Sequence, residues 1–150
     1  MSDDYENYHL KDDRKNFQPL DGLRILVVDD DEDTRTFITF VLEEDGALVT
    51  TAASALEALR LIKQFQPHLL ITDLAMPEVD GYSLLRQLRT LNPPLGTIPA
   101  IAVTAVDLQR EGDFYLQYGF QGYLLKPVDP TDLVIEIVKL IQQQSSFTDK

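Results

Sequence analysis

Residues 24–31 carry the sequence RILVVDDD, in which a short apolar run ends in three consecutive acids. A β-branched run of this length is typical of a strand that is buried on both faces of a sheet. The run therefore predicts a first strand from Arg24 to Val28. The three acids at residues 29–31 would then stand at the carboxyl end of that strand.

Strand-like and helix-like segments alternate from this point onward. The predicted strands cover residues 24–28, 47–51, 68–72, 98–103 and 123–125, with the second at an edge of the sheet, and the predicted helices begin near Asp33, Ser54, Tyr82, Asp107 and Asp129. Strict alternation predicts an α/β fold with a doubly wound, five-stranded parallel sheet and right-handed crossovers, (βα)5. The expected strand order is the flavodoxin-like 2-1-3-4-5, in which ligands bind beyond the carboxyl ends of the strands.

The apolar spacing of each helical segment predicts an inward face. The first helix is predicted to be capped by Asp33, to end at Gly46 and to bury Phe37, Ile38, Val41 and Leu42. The second begins with the capping-box pair Ser54 and Glu57. The third is predicted to bury Leu84, Leu85 and Leu88, and the last, with Pro130 in its first turn, to bury Val134, Ile137, Val138 and Ile141.

The two ends of the chain differ in composition from this alternating region. Residues 1–22 are polar and charged and show no apolar periodicity, which predicts a flexible acidic arm. An arm that docks through Tyr5, Tyr8 and Phe17 is the alternative interpretation. We expect the folded domain to cover residues 23–143 and a frayed tail to cover residues 144–150.

Composition limits the class of protein. Hydrophobic residues make up 44% of the chain, as in globular proteins, and the net charge of −12 disfavours direct binding to nucleic acid. The absence of Cys excludes disulfides and thiolate metal sites. No apolar run approaches the length of a membrane span, and no signal segment opens the chain. These features predict a soluble, cytoplasmic protein without a membrane partner.

Polar side chains follow four of the predicted strands. They are the acids at 29–31, Asp73, Thr104 and Lys126. Carboxylates held close together repel one another, and a hard divalent cation such as Mg²⁺ relieves that repulsion through oxygen ligands. A carboxylate beside such an ion can act as a nucleophile toward phosphorus, while Lys126 supplies positive charge and Thr104 a hydroxyl donor.

Each of these residues also has an ordinary structural explanation. An Asp after a strand is most often a turn residue or a helix cap, and Asp31 or Asp33 is explained in that way. A Lys before Pro is most often a solvated surface charge, and a Thr at a strand end is a common β-branched residue. Their joint placement at one edge, without any Gly-rich phosphate loop, favours a shared phosphoryl-transfer site.

Four motifs resemble those of the CheY-like receiver domains of two-component response regulators. They are ILVVDDDED at 25–33, ITDLAMPEVDG at 71–81, VTA at 103–105 and GYLLKPVD at 122–129. The resemblance covers about residues 23 to 143, and the motifs occur in the order and spacing of the family. The chain is therefore similar to a receiver domain over nearly all of its predicted folded part.

The resemblance implies a role for each acid. Asp73 would be the phosphoacceptor, and Asp29 and Asp30 would form the acidic pair. Asp30, Asp73 and the backbone carbonyl of Ala75 would bind Mg²⁺ or Mn²⁺ directly. Asp29 would act on the ion mainly through water.

The resemblance also implies how the site would respond to phosphorylation. Thr104 and Lys126 would hold the phosphoryl oxygens, and Tyr123 would be the aromatic switch residue that turns inward. The Lys126–Pro127 peptide bond would be cis. Ala75 and Val106 occupy positions that are often polar in the family, and their apolar side chains predict slow self-dephosphorylation.

These roles predict a stand-alone phosphorelay receiver that is not an enzyme beyond its own phosphorylation and dephosphorylation. Its donor would be a sensor histidine kinase or a histidine phosphotransfer protein, and its output a downstream protein partner or a homodimer. Either would use the face formed by the fourth predicted helix, the fifth strand and the last helix.

Three other functions are considered. An aspartate-dependent phosphatase typically needs a second acid two residues after the nucleophile, where this chain has Ala75. A flavodoxin-type protein needs a phosphate loop after the first strand, where this chain has acids. A receiver used only for constitutive docking is disfavoured by the complete set of polar residues.

Overall fold

A parallel sheet lies at the centre of the computed structural model, which describes residues 18–105 and 118–148, with no side-chain description for 145–148. The strands are β1 (Arg24–Val28), β2 (Leu48–Ala52), β3 (Leu69–Thr72), β4 (Ala100–Thr104) and β5 (Gly122–Leu125). They pair in the order β2-β1-β3-β4-β5, and every pair is parallel. The predicted doubly wound fold and strand order are confirmed.

Four helices are found within the described residues. They are α1 (Glu32–Glu44), α2 (Ala55–Phe65), α3 (Gly81–Arg89) and α4 (Pro130–Thr148), and a 3₁₀ turn covers Leu95–Thr97. The predicted helix over 107–118 lies outside the described part of the chain, except for its last residue. Among the described helices, none is both long enough and apolar enough to span a membrane.

Two apolar clusters cover the two faces of the sheet. Alternate residues of β1 divide between them: Leu26 and Val28 pack in the cluster that includes residues of α2 and α3, and Ile25 and Val27 pack in the one that includes residues of α1 and α4. Because both faces are covered, a β1 side chain that pointed to either side would be buried. All of residues 25–28 are accordingly buried, which is why this strand is a continuous apolar run.

Three helical predictions are confirmed and one cap is corrected. Leu84, Leu85 and Leu88 of α3 are buried, the side chain of Ser54 accepts a hydrogen bond from the Glu57 N–H, and Gly46 follows α1 with φ of +93°. The cap of α1 is Asp31 and not Asp33, because the Asp31 carboxylate accepts the Thr34 N–H at 3.1 Å and the Thr34 hydroxyl at 2.6 Å. Asp33 lies in the first turn of the helix.

The buried faces of the first and last helices differ from the prediction. In α1, Ile38 and Leu42 are buried as expected, but Phe37 is 41% exposed. In α4, the buried side chains are Leu133, Ile137 and Leu140, whereas the predicted Val134, Val138 and Ile141 are only partly buried. Leu133, Ile137 and Leu140 form one stripe at helical spacing, so the helix is rotated from the predicted phase.

The folded domain begins before the predicted boundary at residue 23. Leu20 is 1% exposed, and its N–H donates to the Asp45 carbonyl at 3.0 Å. Leu20 is flanked directly by Gln18, Pro19, Asp21 and Gly22, and these turn-forming and polar residues gave no sign of a buried segment. At the other end, α4 extends to Thr148, past the predicted domain end at 143.

Within the described residues, two peptide bonds before proline are cis. Lys126–Pro127 is one of them, as predicted, and Pro93–Pro94 is the other, which was not predicted.

Candidate functional site

Main-chain hydrogen bonds continue the sheet past the ends of β1 and β3. The Asp29 N–H donates to the Ala52 carbonyl at 3.1 Å, and the Asp73 N–H donates to the Val28 carbonyl at 2.9 Å. Both acids are therefore held in register with neighbouring strands, directly beyond the apolar core. Asp29 is 2% exposed and Asp73 is 6% exposed, so both lie at the floor of this edge.

Asp29, Asp30 and Asp73 form one cluster of carboxylates. Each offers an oxygen, and these oxygens lie within 4.8 Å of one another. Asp30 is exposed, in contrast to the other two, so the cluster is open to solvent on one side. We call these three residues, with Thr104 and Lys126, the acidic rim.

Lys126 supplies the positive charge of the acidic rim. It follows β5, and its side chain extends past the end of β4 to reach the acids that follow β1 and β3. Its Nζ lies 2.9 Å from Asp29 Oδ2 and 3.1 Å from Asp73 Oδ2. A single ammonium group is thus shared by two buried carboxylates.

Burial and the neighbouring charges shift the pKa values of Asp29 and Lys126 in opposite directions. Burial raises the pKa of Asp29, and the bonds from Lys126 and from the Asp31 N–H offset that rise only in part. Burial by itself would lower the pKa of Lys126, but its bonds to Asp29 and Asp73 raise that pKa above the ordinary value. Lys126 therefore stays protonated at neutral pH, while Asp29 is less acidic than a free carboxyl.

Thr104 is the last residue of β4, which lies between β3 and β5, and it is 1% exposed. Its carbonyl accepts the Lys126 backbone N–H at 2.8 Å. Ala75 follows Asp73 in the adjacent loop, where its N–H donates to Asp73 Oδ1 at 3.3 Å and its side chain is exposed. Metal binding by the Ala75 carbonyl stays a prediction.

Of the predicted site residues Tyr123 and Val106, only Tyr123 lies in the described part of the chain. Tyr123 lies on β5 opposite Ala102, where it is half-buried and packs against the apolar cluster on the α2 and α3 face. Its role as a switch residue stays a prediction. Val106 lies outside the residues that the structure describes.

Two residues that shape the site were not singled out from the sequence. A methyl group added to Gly81 would overlap the Asp73 carbonyl oxygen and would lie 3.0 Å from Leu74 Cα, so only glycine lets α3 begin this close to Asp73. The Arg35 guanidinium donates to the Asp29 carbonyl at 2.7 Å. Gly81 ends the second motif of the sequence, but no local pattern indicates its distance from Asp73.

The donor set of the acidic rim fits a hard divalent cation. It consists of carboxylate oxygens, with two acids buried and one open to solvent, and the three negative charges exceed the single charge of Lys126. Mg²⁺ prefers oxygen ligands and is usually bound through one or two carboxylates together with phosphate oxygens and water. Asp29, Asp30 and Asp73 are the residues that would hold it.

A parallel α/β sheet with acids, a threonine and a lysine at its carboxyl edge is the architecture of receiver domains. The sequence profile of the response regulator receiver domain matches residues 25–138. The chain belongs to this family, whose members act in two-component signalling.

Relatives of two lengths are found. An uncharacterized 14.6 kDa protein from the sodA1 3′ region of Leptolyngbya boryana is 48% identical over 126 residues, covering 84% of this chain and 92% of that protein. The response regulator Rre1 of Synechocystis is 32% identical over 128 residues, covering 85% of this chain but only 55% of Rre1. This chain therefore matches nearly the whole of the first relative and about half of the second.

The solved structures give the same result. The receiver domain of the Francisella response regulator 1452 superposes with a TM-score of 0.74 at 33% identity, covering 82% of this chain and 99% of that domain. A receiver domain protein from Clostridium thermocellum superposes with a TM-score of 0.73 at 31% identity, covering 83% and 98% of the two chains.

Proposed function

We propose that this protein accepts a phosphoryl group on Asp73 in a reaction that requires Mg²⁺ or Mn²⁺. Response regulators interact with histidine kinases or phosphotransfer proteins, and we propose a donor of one of these two kinds. The observation that carries the proposal is the Lys126 Nζ shared by Asp29 and Asp73 at 2.9 and 3.1 Å. This arrangement places a fixed positive charge beside the carboxylate that would be phosphorylated.

The chemistry requires one bond to form and one to break. An Asp73 carboxylate oxygen bonds to phosphorus while the P–N bond to the donor imidazole breaks. The electron pair of the P–N bond stays on that nitrogen, and the ring, protonated on its other nitrogen, leaves as neutral imidazole. A bound divalent ion supplies charge neutralisation for the phosphoryl oxygens and the acidic carboxylates.

The residues of the acidic rim then have separate tasks. Lys126 exchanges its bond to Asp73 for one to a phosphoryl oxygen, and the Thr104 hydroxyl donates to another. Movement of Thr104 lets Tyr123 turn inward, which favours the conformation that a downstream partner or a second copy binds. The proposed output surface includes β5 and α4, and the predicted fourth helix that would complete it lies outside the described residues except for residue 118.

We further propose that the protein works in the cytoplasm and is not an enzyme beyond its own phosphorylation and dephosphorylation. The position two residues after Asp73, where a phosphatase would need a second acid, carries the exposed methyl group of Ala75. That side chain cannot donate a proton to a leaving group or activate water. The phosphatase alternative therefore receives no support from the site.

Ala75 also supports a long-lived aspartyl phosphate. Its side chain is exposed beside the acidic rim and cannot orient an attacking water molecule. We expect slow phosphate loss in the wild type and faster loss in Ala75→Asn, measured as the decay of the phosphorylated mass after removal of the donor. Fast loss from the wild type that stops on chelation of the metal would contradict this expectation.

The central test is incubation with a small-molecule phosphodonor, with and without Mg²⁺, followed by intact mass measurement. The expected result is a Mg²⁺-dependent phosphate adduct that is absent in Asp73→Asn and present in the control Asp80→Asn. Asp80 is an exposed helix cap in the same loop region, so its substitution matches the charge change. An adduct that persists in Asp73→Asn would contradict Asp73 as the acceptor, and no adduct under any condition would favour a docking-only role.

A further inference from the structure

Within the described residues, β2 is a strand at the edge of the sheet, with β1 on one side only. The Leu48 N–H and the Ala52 carbonyl form hydrogen bonds with the residues that flank β1, at 2.8 and 3.1 Å. Because hydrogen bonding alternates along a parallel pair, Leu48, Thr50 and Ala52 turn their main-chain groups toward β1. The N–H and C=O groups of Val49 and Thr51 therefore point away from the sheet.

The stretch around β2 lacks the features that usually prevent strands from pairing between molecules. Natural edge strands are protected by charged side chains, prolines or bulges. Residues 46–54, GALVTTAAS, contain no charge and no proline, in a chain of which 25% is charged. By contrast, β5 at the other edge of the described sheet begins with a glycine and is followed by Lys126 and Pro127. We call the outward side of residues 46–54 the β2 edge.

The β2 edge is complementary to a second copy of itself in the antiparallel orientation. With Thr50 opposite Thr50 of the partner subunit, Val49 stands opposite Thr51 of the partner subunit. Each such pair exchanges two hydrogen bonds, so every outward main-chain group of residues 49 and 51 gains a partner. On the face covered by α2, the large side chain of Leu48 stands opposite the small Ala52 of the partner subunit, and the threonine pair is itself favourable.

Exposed apolar side chains lie beside the β2 edge on both faces of the sheet. On the α2 face, Leu48 is 55% exposed and Leu56, in the first turn of α2, is 50% exposed. On the other face, a cleft of about 470 Å³ separates α1 from Thr51, and Phe40 in its wall is 64% exposed. Antiparallel pairing of two β2 strands sets the two α1 helices side by side. It therefore covers apolar surface as well as main-chain groups.

The charge of the chain does not oppose pairing at the strand itself. Two copies with a net charge of −12 repel each other, but residues 46–54 bring no charge into the paired strands. The acids beside the cleft, Glu32 and Glu43, are exposed and stay solvated, and Arg35 lies on the same wall. Salt screens such solvated charges beyond about 8 Å at physiological ionic strength. A foreign cationic segment, in turn, would find no acid on the strand to fix its register.

We propose that two copies of this protein associate through their β2 edges, so that their sheets join into one, with Thr50 at the two-fold axis. Because this axis is perpendicular to the sheet, the carboxyl ends of the strands point in opposite directions in the two copies. Both acidic rims, and both surfaces that include β5 and α4, stay accessible. The association does not require phosphorylation and is separate from a dimer formed through the output surface.

Single cysteines test the register, since the chain has no Cys. Directly opposed residues of a non-hydrogen-bonded antiparallel pair have Cα atoms about 4.5 Å apart, which is within the range of a disulfide. Thr50→Cys should therefore form a disulfide-linked dimer on mild oxidation, at least about tenfold faster than Leu48→Cys, whose residue stands opposite Ala52 and not opposite itself. Equal rates, or faster linkage of the more exposed Leu48→Cys, would overturn the proposal.

Sedimentation equilibrium measures the association without a covalent link. We expect a monomer–dimer equilibrium that tightens as salt is added and that is weakened at least about tenfold by Leu48→Lys, which places a charge on each edge. The control Ile135→Lys should associate like the wild type, because Ile135 is comparably exposed, at 57%, but lies on α4.

Asp73→Asn should also associate like the wild type, so the result does not depend on whether Asp73 accepts phosphate. A wild type that stays monomeric up to its solubility limit would overturn the proposal. So would a dimer that survives Leu48→Lys, which would place the contact on another face, or a dimer that dissociates as salt is added.

Discussion

The charged side chains at the two ends of the sheet have partners of different kinds. At the carboxyl end, Asp29 and Asp73 share the ammonium group of Lys126, and negative charge is in excess. At the amino end, the partners of the Arg89 guanidinium among the described residues are neutral oxygens: the carbonyls of Gly96, Ile98 and Gly119 and the side-chain oxygen of Gln121, at 2.7–3.2 Å. We call this second arrangement the Arg89 network.

This difference in charge balance indicates that the acidic rim serves ligand binding and that the Arg89 network serves stability. The Arg89 network is closed, since each donor–acceptor pair lies within the protein and joins the segments that lead into β4 and β5. The acidic rim is open, because its excess negative charge is relieved only by a cation or by a change in protonation. An added ligand should therefore alter the acidic rim strongly and the Arg89 network hardly at all.

Arg89→Met should produce the largest loss of stability. The substitution removes the donor of the Gly96 and Ile98 carbonyls, while the Gly119 carbonyl keeps its bond from Gln121 Nε2. We expect the free energy of unfolding to fall by about 3 kcal/mol. Phosphorylation of the folded variant should be unchanged. Urea unfolding measures the loss, and Arg86→Met is the control, because Arg86 is exposed and its side chain donates to the Ser83 hydroxyl on the same helix. Equal effects of the two substitutions would contradict a structural role for the network.

Gly81→Ala should have the next largest effect, at the acidic rim. The added methyl group would overlap the Asp73 carbonyl oxygen, and main chain cannot move aside as cheaply as a side chain. We expect a loss of about 2 kcal/mol in urea unfolding together with slower phosphorylation. In the control Gly122→Ala, the three atoms nearest to the new methyl group all belong to the flexible Glu136 side chain. Phosphorylation at the wild-type rate in Gly81→Ala would show that the close approach is unimportant for the site.

Asp73→Asn should change stability in the opposite direction. Removing one of the three clustered carboxylates relieves repulsion and leaves Lys126 paired with Asp29, so we expect a gain of about 1 kcal/mol in Mg²⁺-free buffer. Saturating Mg²⁺ should narrow the difference, because a bound ion stabilises the wild type: at ten times Kd the gain is about 1.4 kcal/mol. If the variant were less stable than the wild type in Mg²⁺-free buffer, the acidic rim would not carry unrelieved negative charge.

His68, at the amino end of β3, should give the smallest effect. Its Nδ1 accepts the Arg24 N–H at 2.9 Å, and burial and the charge of Arg24 lower its pKa. The folded state favours the neutral ring. The contribution of His68 to the free energy of unfolding is therefore complete above the ordinary pKa of about 6.5, and it is lost as the pH falls through the lowered pKa of the folded state.

The measurement for His68 is the change in unfolding free energy between pH 7 and pH 5. The wild type should lose more stability than His68→Asn, which keeps an acceptor but does not titrate. The difference should be below about 1 kcal/mol. His9→Asn is the control and should behave like the wild type; equal losses in all three proteins would show that His68 does not contribute.

The sequence was sufficient wherever one physical signal dominated. The bounds of β1 match the prediction because a strand buried on both faces must be apolar throughout and stops where the acids begin. The shared edge of Asp29, Asp73 and Lys126 follows from parallel strand order alone, and the structure places their charged groups in contact.

The sequence was insufficient where several signals competed. The last helix is apolar on more than one side, so Val134 and Leu133 are both plausible inward positions, and only packing against the sheet selects Leu133. The acidic run after β1 contains several candidate caps, and the hydroxyl and N–H of Thr34 select Asp31. The Arg89 network joins segments that are distant in sequence, so no local pattern reveals it.

The backbone hydrogen bond from Lys126 to the Thr104 carbonyl has a genetic consequence. The two residues proposed to hold the phosphoryl oxygens are joined through the main chain, so a displacement of one is transmitted to the other. Their substitutions should therefore show epistasis, because a main-chain shift caused by a substitution at one position also displaces the side chain at the other. Natural variation at one of these positions would consequently be constrained by the residue present at the other.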